Sequence, residues 1–185
     1  MLALDADYVV TDELSAELAK LQPEPSTAGY RTKFIYCING RKLRSGIYPP
    51  VTVLYRRDAA SYIQDGHTQR VSLRGAIEEL NSPLLHDDRK PFKRWFNSQA
   101  HYTKLEAQKL LAADRSELEW TDRLRRWRLV APLAMPAYCL IVRGGIFDGW
   151  PGFYYAFQRT TAELMLSVNL GHRFTRMKTD VYPRY

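Results

Sequence analysis

Met1-Leu2-Ala3-Leu4 is an apolar run that stops at two carboxylates one residue apart, Asp5 and Asp7. Such a run predicts a short buried strand, internal to a sheet, with the acids beyond its carboxyl end. The period then changes. Leu14, Leu18 and Leu21 recur at helical spacing, which predicts a helix over residues 12–21, capped by Thr11 and ended by Pro23 and Pro25. Asp12 and Glu13 fall in its first turn, against the positive end of its dipole. Over residues 29–38, Tyr30, Thr32, Phe34, Tyr36 and Ile38 alternate with Arg31, Lys33 and Cys37, the pattern of one half-buried strand. Asn39-Gly40 predicts a tight hairpin turn, with a basic return strand through Arg41, Lys42 and Arg44. Pro49-Pro50 forces extended chain before Val51–Tyr55, a further strand. Residues 56–70 are polar and lie between strands, so they are expected to form a loop where a site would lie.

Leu80-Asn81-Ser82-Pro83-Leu84-Leu85 leads into His86-Asp87-Asp88-Arg89-Lys90, again an apolar stretch ending in potential ligands. Pro91 opens a helix carrying Trp95, Phe96, Tyr102 and Leu105, and the composition stays helical to Trp127. Leu129 to Val142 then runs apolar for 14 residues, interrupted by Pro132 and Pro136. That is short of the roughly 20 residues a spanning helix needs, so a core helix or an interfacial segment is expected. Gly144 to Gly152 is a tight connection, and Pro151 suits the first turn of a helix ending near Gly171, with Phe153, Phe157, Thr161, Leu164 and Val168 on one face. Arg123, Arg125, Arg126 and Arg128 surround Trp127; with Trp150, Tyr154 and Tyr155 they fit a membrane-surface belt, while the same periodicity fits a helical hairpin packed on its own core.

Composition changes this picture in two ways. Of 185 residues 45% are hydrophobic and 25% charged, enough for a full-sized core. The formal charge of +7 points to an anionic partner, whether membrane surface, phosphorylated substrate or nucleic acid. No groove-reading helix, zinc module or RNA-binding aromatic signature accompanies it, so nucleic acid is set aside. Cys37 and Cys139 are too few for a disulfide framework and read as small buried hydrophobes. The candidate chemistry is at Asp5 and Asp7: residues i and i+2 of an extended chain point the same way, so both could face one hard divalent cation, Mg²⁺ or Mn²⁺, whose shell water and a substrate phosphate would complete. A solvated strand end explains the pair equally well.

Leu4-Asp5-Ala6-Asp7 resembles the Asp-x-Asp strand end of family 2 glycosyltransferases with the GT-A fold. Residues 143–153, from Arg143-Gly144-Gly145-Ile146-Phe147-Asp148-Gly149 to Trp150-Pro151-Gly152-Phe153, resemble the C-terminal Gly-Phe-x-Asp-Gly-x-x-Gly-Phe segment of bacterial members that build lipopolysaccharide core and related surface glycans. The likeness extends to His86 at a strand end and to a Tyr-x-x-Leu-Glu-Ala run from Tyr102 to Ala107. It implies an α/β fold: part of a GT-A-like mixed sheet over residues 1–97, then amphipathic, membrane-interfacial helices over 98–185. It also implies a metal-assisted, inverting transfer from a nucleotide-sugar donor to a lipid-linked or surface-glycan acceptor, with Asp5, Asp7 and His86 on Mn²⁺ or Mg²⁺ and Asp65 as general base. The expected place of work is the cytoplasmic face of a bacterial inner membrane, on anionic lipid.

Two features depart from the family. Its Asp-x-Asp lies near the middle of the catalytic domain, after a nucleotide-binding half; here the chain opens at that motif, so either a separate chain supplies that half or Met1 is an internal start. Several relatives have His-Glu where this chain has His67-Thr68, which leaves Asp65 as the nearest carboxylate. The competing expectation is an inactive remnant, or a subunit that docks on a membrane or a partner protein.

Overall fold

The computed structural model describes residues 1–65, 68–114, 116 and 118–181; of residues 65, 68 and 172–181 it describes the backbone alone. The fold is mixed α/β. It divides into two compact units, Met1–Gln64 with Gln69–Arg89, and a mainly helical unit that runs on from Lys90 and also takes in Asp65–Thr68.

The first unit contains β1 (Tyr8–Val10), α1 (Asp12–Lys20), β2 (Thr27–Thr32), β3 (Phe34–Ile38), β4 (Arg41–Lys42), β5 (Val51–Tyr55), β6 (Ala60–Asp65), β7 (Thr68–Leu73), β8 (Ala76–Glu79) and β9 (Leu84–Asp87). Three sheets result, in the orders β1-β9-β3-β4, β5-β2-β8 and β6-β7. Helix α1 forms as its sequence demands: Thr11 Oγ1 accepts from Leu14 N at 3.1 Å. Leu14 is fully buried in a core with Tyr30, Val53, Leu80 and Leu84, against which Leu18 and Leu21 also pack. Asn39 and Gly40 both take positive φ, 49° and 79°, and close the β3–β4 hairpin with Ile38 opposite Arg41. Cys37 and Cys139 are buried and free.

Three sequence expectations fail here for identifiable reasons. Residues 29–38 are not one strand, because the chain changes sheets at Lys33. Thr32 Oγ1 donates to Ser82 O at 2.5 Å and Leu84 N donates to Lys33 O at 2.9 Å, fixing a corner that alternation cannot reveal. The polar residues 56–70 are not a loop but mostly the β6–β7 ribbon, whose Tyr62, Ile63 and Val71 carry strand propensity among the charges. Met1 to Leu4 is not a buried strand. Leu2 makes a single bridge to Leu54, and Met1 (51%), Leu2 (46%) and Leu4 (39%) remain exposed. Backbone bonds from Ala3 N to Val53 O and from Tyr55 N to Met1 O tie this stretch to β5, and no second strand pairs with it among the described residues. An apolar run is internal only where it finds neighbours on both sides.

The second unit contains α2 (Phe92–Ala112), α3 (Trp120–Arg125), α4 (Val130–Ala137) and α5 (Trp150–Val181). A domain boundary after residue 97 would cut α2. Ala107 and Leu110 of α2 bury against Leu118, Leu166 and Leu170. Arg125 reaches the buried Glu163 at 2.9 Å. Pro136 removes a donor from α4, and the helix widens into a π stretch at Tyr138–Val142, with Arg143 N bonding Tyr138 O. A 3₁₀ turn at Gly145–Asp148 follows, between Gly144 and Gly149 at positive φ. Phe153, Phe157, Leu164 and Val168 do share a face of α5, and that face is exposed. Among the described residues no helix is long and apolar enough to cross a membrane.

Candidate metal centre

Strand β9 is the centre of the site, because it pairs on both sides. It runs antiparallel to β1, with Tyr8 opposite His86, and parallel to β3, with Tyr36 opposite His86. The antiparallel pairing brings the start of β1 beside the end of β9, where Asp87 N donates to Asp7 O at 3.1 Å. Asp7 and Asp88 are thereby delivered to one spot from opposite strand directions. Ligand atoms of Asp7, His86 and Asp88 all lie within 4.8 Å of one another.

Alternation decides which acids join. His86 and Asp88 are i and i+2 at the end of an extended strand and point one way; Asp87 points the other. The Asp87 carboxylate accepts from Gly40 N at 3.0 Å and Arg89 Nε at 2.7 Å. Burial alone would raise its pKa, but those two donors and the Arg89 charge outweigh burial and hold it below the ordinary carboxylate range. Asp5 does not join the cluster. Tyr8 N donates to Asp5 O at 3.0 Å, so Asp5 to Tyr8 is a turn, and the i, i+2 rule for extended chain does not hold across it. The Asp5 side chain bonds the Tyr8 side chain instead; burial first, then the Asp5 charge and that bond, push the Tyr8 phenol far above its usual value. Of the three residues expected on the cation, Asp7 and His86 meet and Asp5 is replaced by Asp88. Asp65 ends β6, but its side chain, like all of His67, lies outside the described residues.

The donors suit a divalent cation. His86 Nε2 lies 3.3 Å from Asp7 Oδ2, yet both ring nitrogens are shielded from solvent without a well-formed hydrogen bond. An orphan of this kind costs roughly 1–3 kcal/mol unless something takes up its bonding capacity. One nitrogen and carboxylate oxygens match Mn²⁺ better than Mg²⁺, which prefers oxygen alone. Three ligands each about 2.1 Å from one ion can be at most about 3.6 Å from one another when evenly spread, so side chains within 4.8 Å need to close by up to about 1.2 Å. The walls are apolar: the rings of Tyr36, Phe34 and Tyr8 stand 5.0, 5.1 and 5.7 Å from His86, centroid to centroid. Such walls hold the imidazole in place and lower the local dielectric. The sequence signal for Asp88 was its i+2 spacing from His86, masked by the adjacent Asp87 and by the nearness of α2.

Compared with protein-family models, curated proteins and solved structures, the chain matches none. The likeness to family 2 glycosyltransferases rests on the motifs quoted above.

Proposed function

We propose that this chain holds the metal of a nucleotide-sugar-dependent glycosyltransferase. The observation that carries the reading is the convergence of Asp7, His86 and Asp88 at paired strand ends. In the reaction the acceptor hydroxyl oxygen bonds to the anomeric carbon as the carbon–oxygen bond to the diphosphate breaks, inverting that centre. A divalent cation bound at the site would offset charge on the departing diphosphate. Asp7 and Asp88 supply negative charge to hold such an ion, and His86, fixed between Tyr8 and Tyr36, supplies a preset direction. Asp65 is the proposed acceptor of the hydroxyl proton. Asp7, His86, Asp88 and Asp65 account for metal and proton but not for recognition of base and ribose, so transfer by the chain alone is expected to be weak.

The test is calorimetric titration with UDP, GDP and dTDP, with and without Mn²⁺. Binding of at least one diphosphate that requires Mn²⁺, and that is lost in Asp88→Asn, is expected. Binding indifferent to Mn²⁺ removes the proposed role of the acids.

A further inference from the structure

The second unit turns one apolar face inward and another outward. On α5, Tyr155, Ala156, Leu166 and Leu170 are buried, whereas Phe153, Phe157, Leu164 and Val168 are between 45% and 70% exposed. At about 100° per residue the four exposed side chains fall within roughly 60° of one another, opposite the buried set. The outward stripe continues into the turns that lead to α5: Ile141, Val142, Phe147 and Trp150 are each more than 70% exposed. Single exposed hydrophobes are ordinary, but an apolar run along one helix and its approach marks a surface that something covers.

Charge says what covers it. From residue 123 to 171 the sequence holds six arginines, no lysine and two acids, Asp148 and Glu163. Glu163 is buried and engaged by Arg125, while Arg123, Arg128 and Arg143 are exposed. A second copy meeting this face would bring two net-positive segments together. An anionic headgroup layer instead offsets the positive charge while its acyl region accepts the aromatics, and among the described residues no helix is long and apolar enough to span a bilayer. From these observations we infer that the outward stripe of α5, with the turns over residues 141–150, seats in the interfacial layer of an anionic bilayer with α5 in the membrane plane. This surface is independent of the metal reading, and its test contains no metal.

Trp150, 75% exposed, lies on this surface; Trp120 and Trp127 are exposed elsewhere in the unit, and Trp95 is buried at 7%. The full chain is floated with vesicles of phosphatidylcholine alone and of phosphatidylcholine with phosphatidylglycerol, over a salt series. Partition at least about ten-fold stronger onto the anionic vesicles at low salt is expected, with quenching of emission by brominated lipid. The double variant Phe157→Glu with Val168→Glu, unaltered in circular dichroism, should lower partition by at least about ten-fold. Trp150→Phe, which leaves the face apolar, should remove a large share of the quenching. No partition at low salt, partition unchanged in the double variant, quenching unchanged in Trp150→Phe, or a self-associated chain that leaves vesicles unbound overturns the inference.

Discussion

Asp87 and Asp88 adjoin in sequence and differ in everything that follows from which way a strand residue points. Asp88→Asn should weaken Mn²⁺ binding at least about ten-fold, measured by the loss of the free-ion resonance signal, because it removes a charge from the cluster. Asp87→Asn should leave that titration unchanged and instead cost about 1–2 kcal/mol of stability, because it loses the Arg89 pair. The pH dependence follows from the same contacts. The folded pKa of Asp87 is lowered, so the unfolded chain binds its proton more readily, and the stabilisation is present above the ordinary carboxylate pKa and lost as pH falls through the folded value. The gap between wild type and Asp87→Asn in urea unfolding should therefore narrow below about pH 4; a gap constant with pH would show that charge is not its source. At this scale the sequence pointed to Asp5, Asp7 and His86, and the structure gathers Asp7 and His86 with Asp88 and leaves Asp5 outside the cluster. Sequence reasoning applied strand alternation to Asp5 and Asp7, which a turn joins, when the spacing held at His86 and Asp88.

Elements whose signals are local were legible: the Thr11 cap, the Asn39-Gly40 turn, the Val51–Tyr55 strand and the Pro91 start of α2. Elements defined by distant partners were not. Lys33 gives no local sign that the chain leaves one sheet for another there, since the carbonyl that holds Thr32 belongs to Ser82. The N-terminal apolar run looked internal because hydrophobicity was visible and the number of neighbouring strands was not. Long-range ties of this kind are testable. Glu17 of α1 accepts from the backbone N–H groups of Asn81 and Ser82, both at 2.8 Å, and so pins the helix to the turn before β9. Glu17→Gln should cost about 1 kcal/mol after solvent screening, read from urea unfolding, and should loosen the β9 register that aims His86. Gly152 is the corresponding point in the helical unit. A Cβ there would stand 1.9 Å from the Gly145 carbonyl oxygen, a backbone atom that cannot turn aside. Gly152→Ala should lower stability by about 2 kcal/mol or more in a thermal melt; an unshifted midpoint would mean that the 3₁₀ turn does not pack on α5 as described.

For the whole molecule, the charge of +7 and the outward apolar stripe bear on the proposed bilayer contact, and the paired ends of β1 and β9 bear on the proposed metal site. The proposed bilayer surface lies wholly in the helical unit and the ligand cluster wholly in the unit of sheets. Under the proposed transfer to a lipid-linked acceptor both would be needed, and the cluster is the part that would bear on catalysis. The most direct measurement is anomalous diffraction at the manganese edge from crystals of the full chain grown with manganese. The account predicts a peak bounded by the carboxylates of Asp7 and Asp88 and the ring of His86, and its disappearance in His86→Ala. Manganese bound elsewhere, or a peak that persists at this spot without His86, would contradict it.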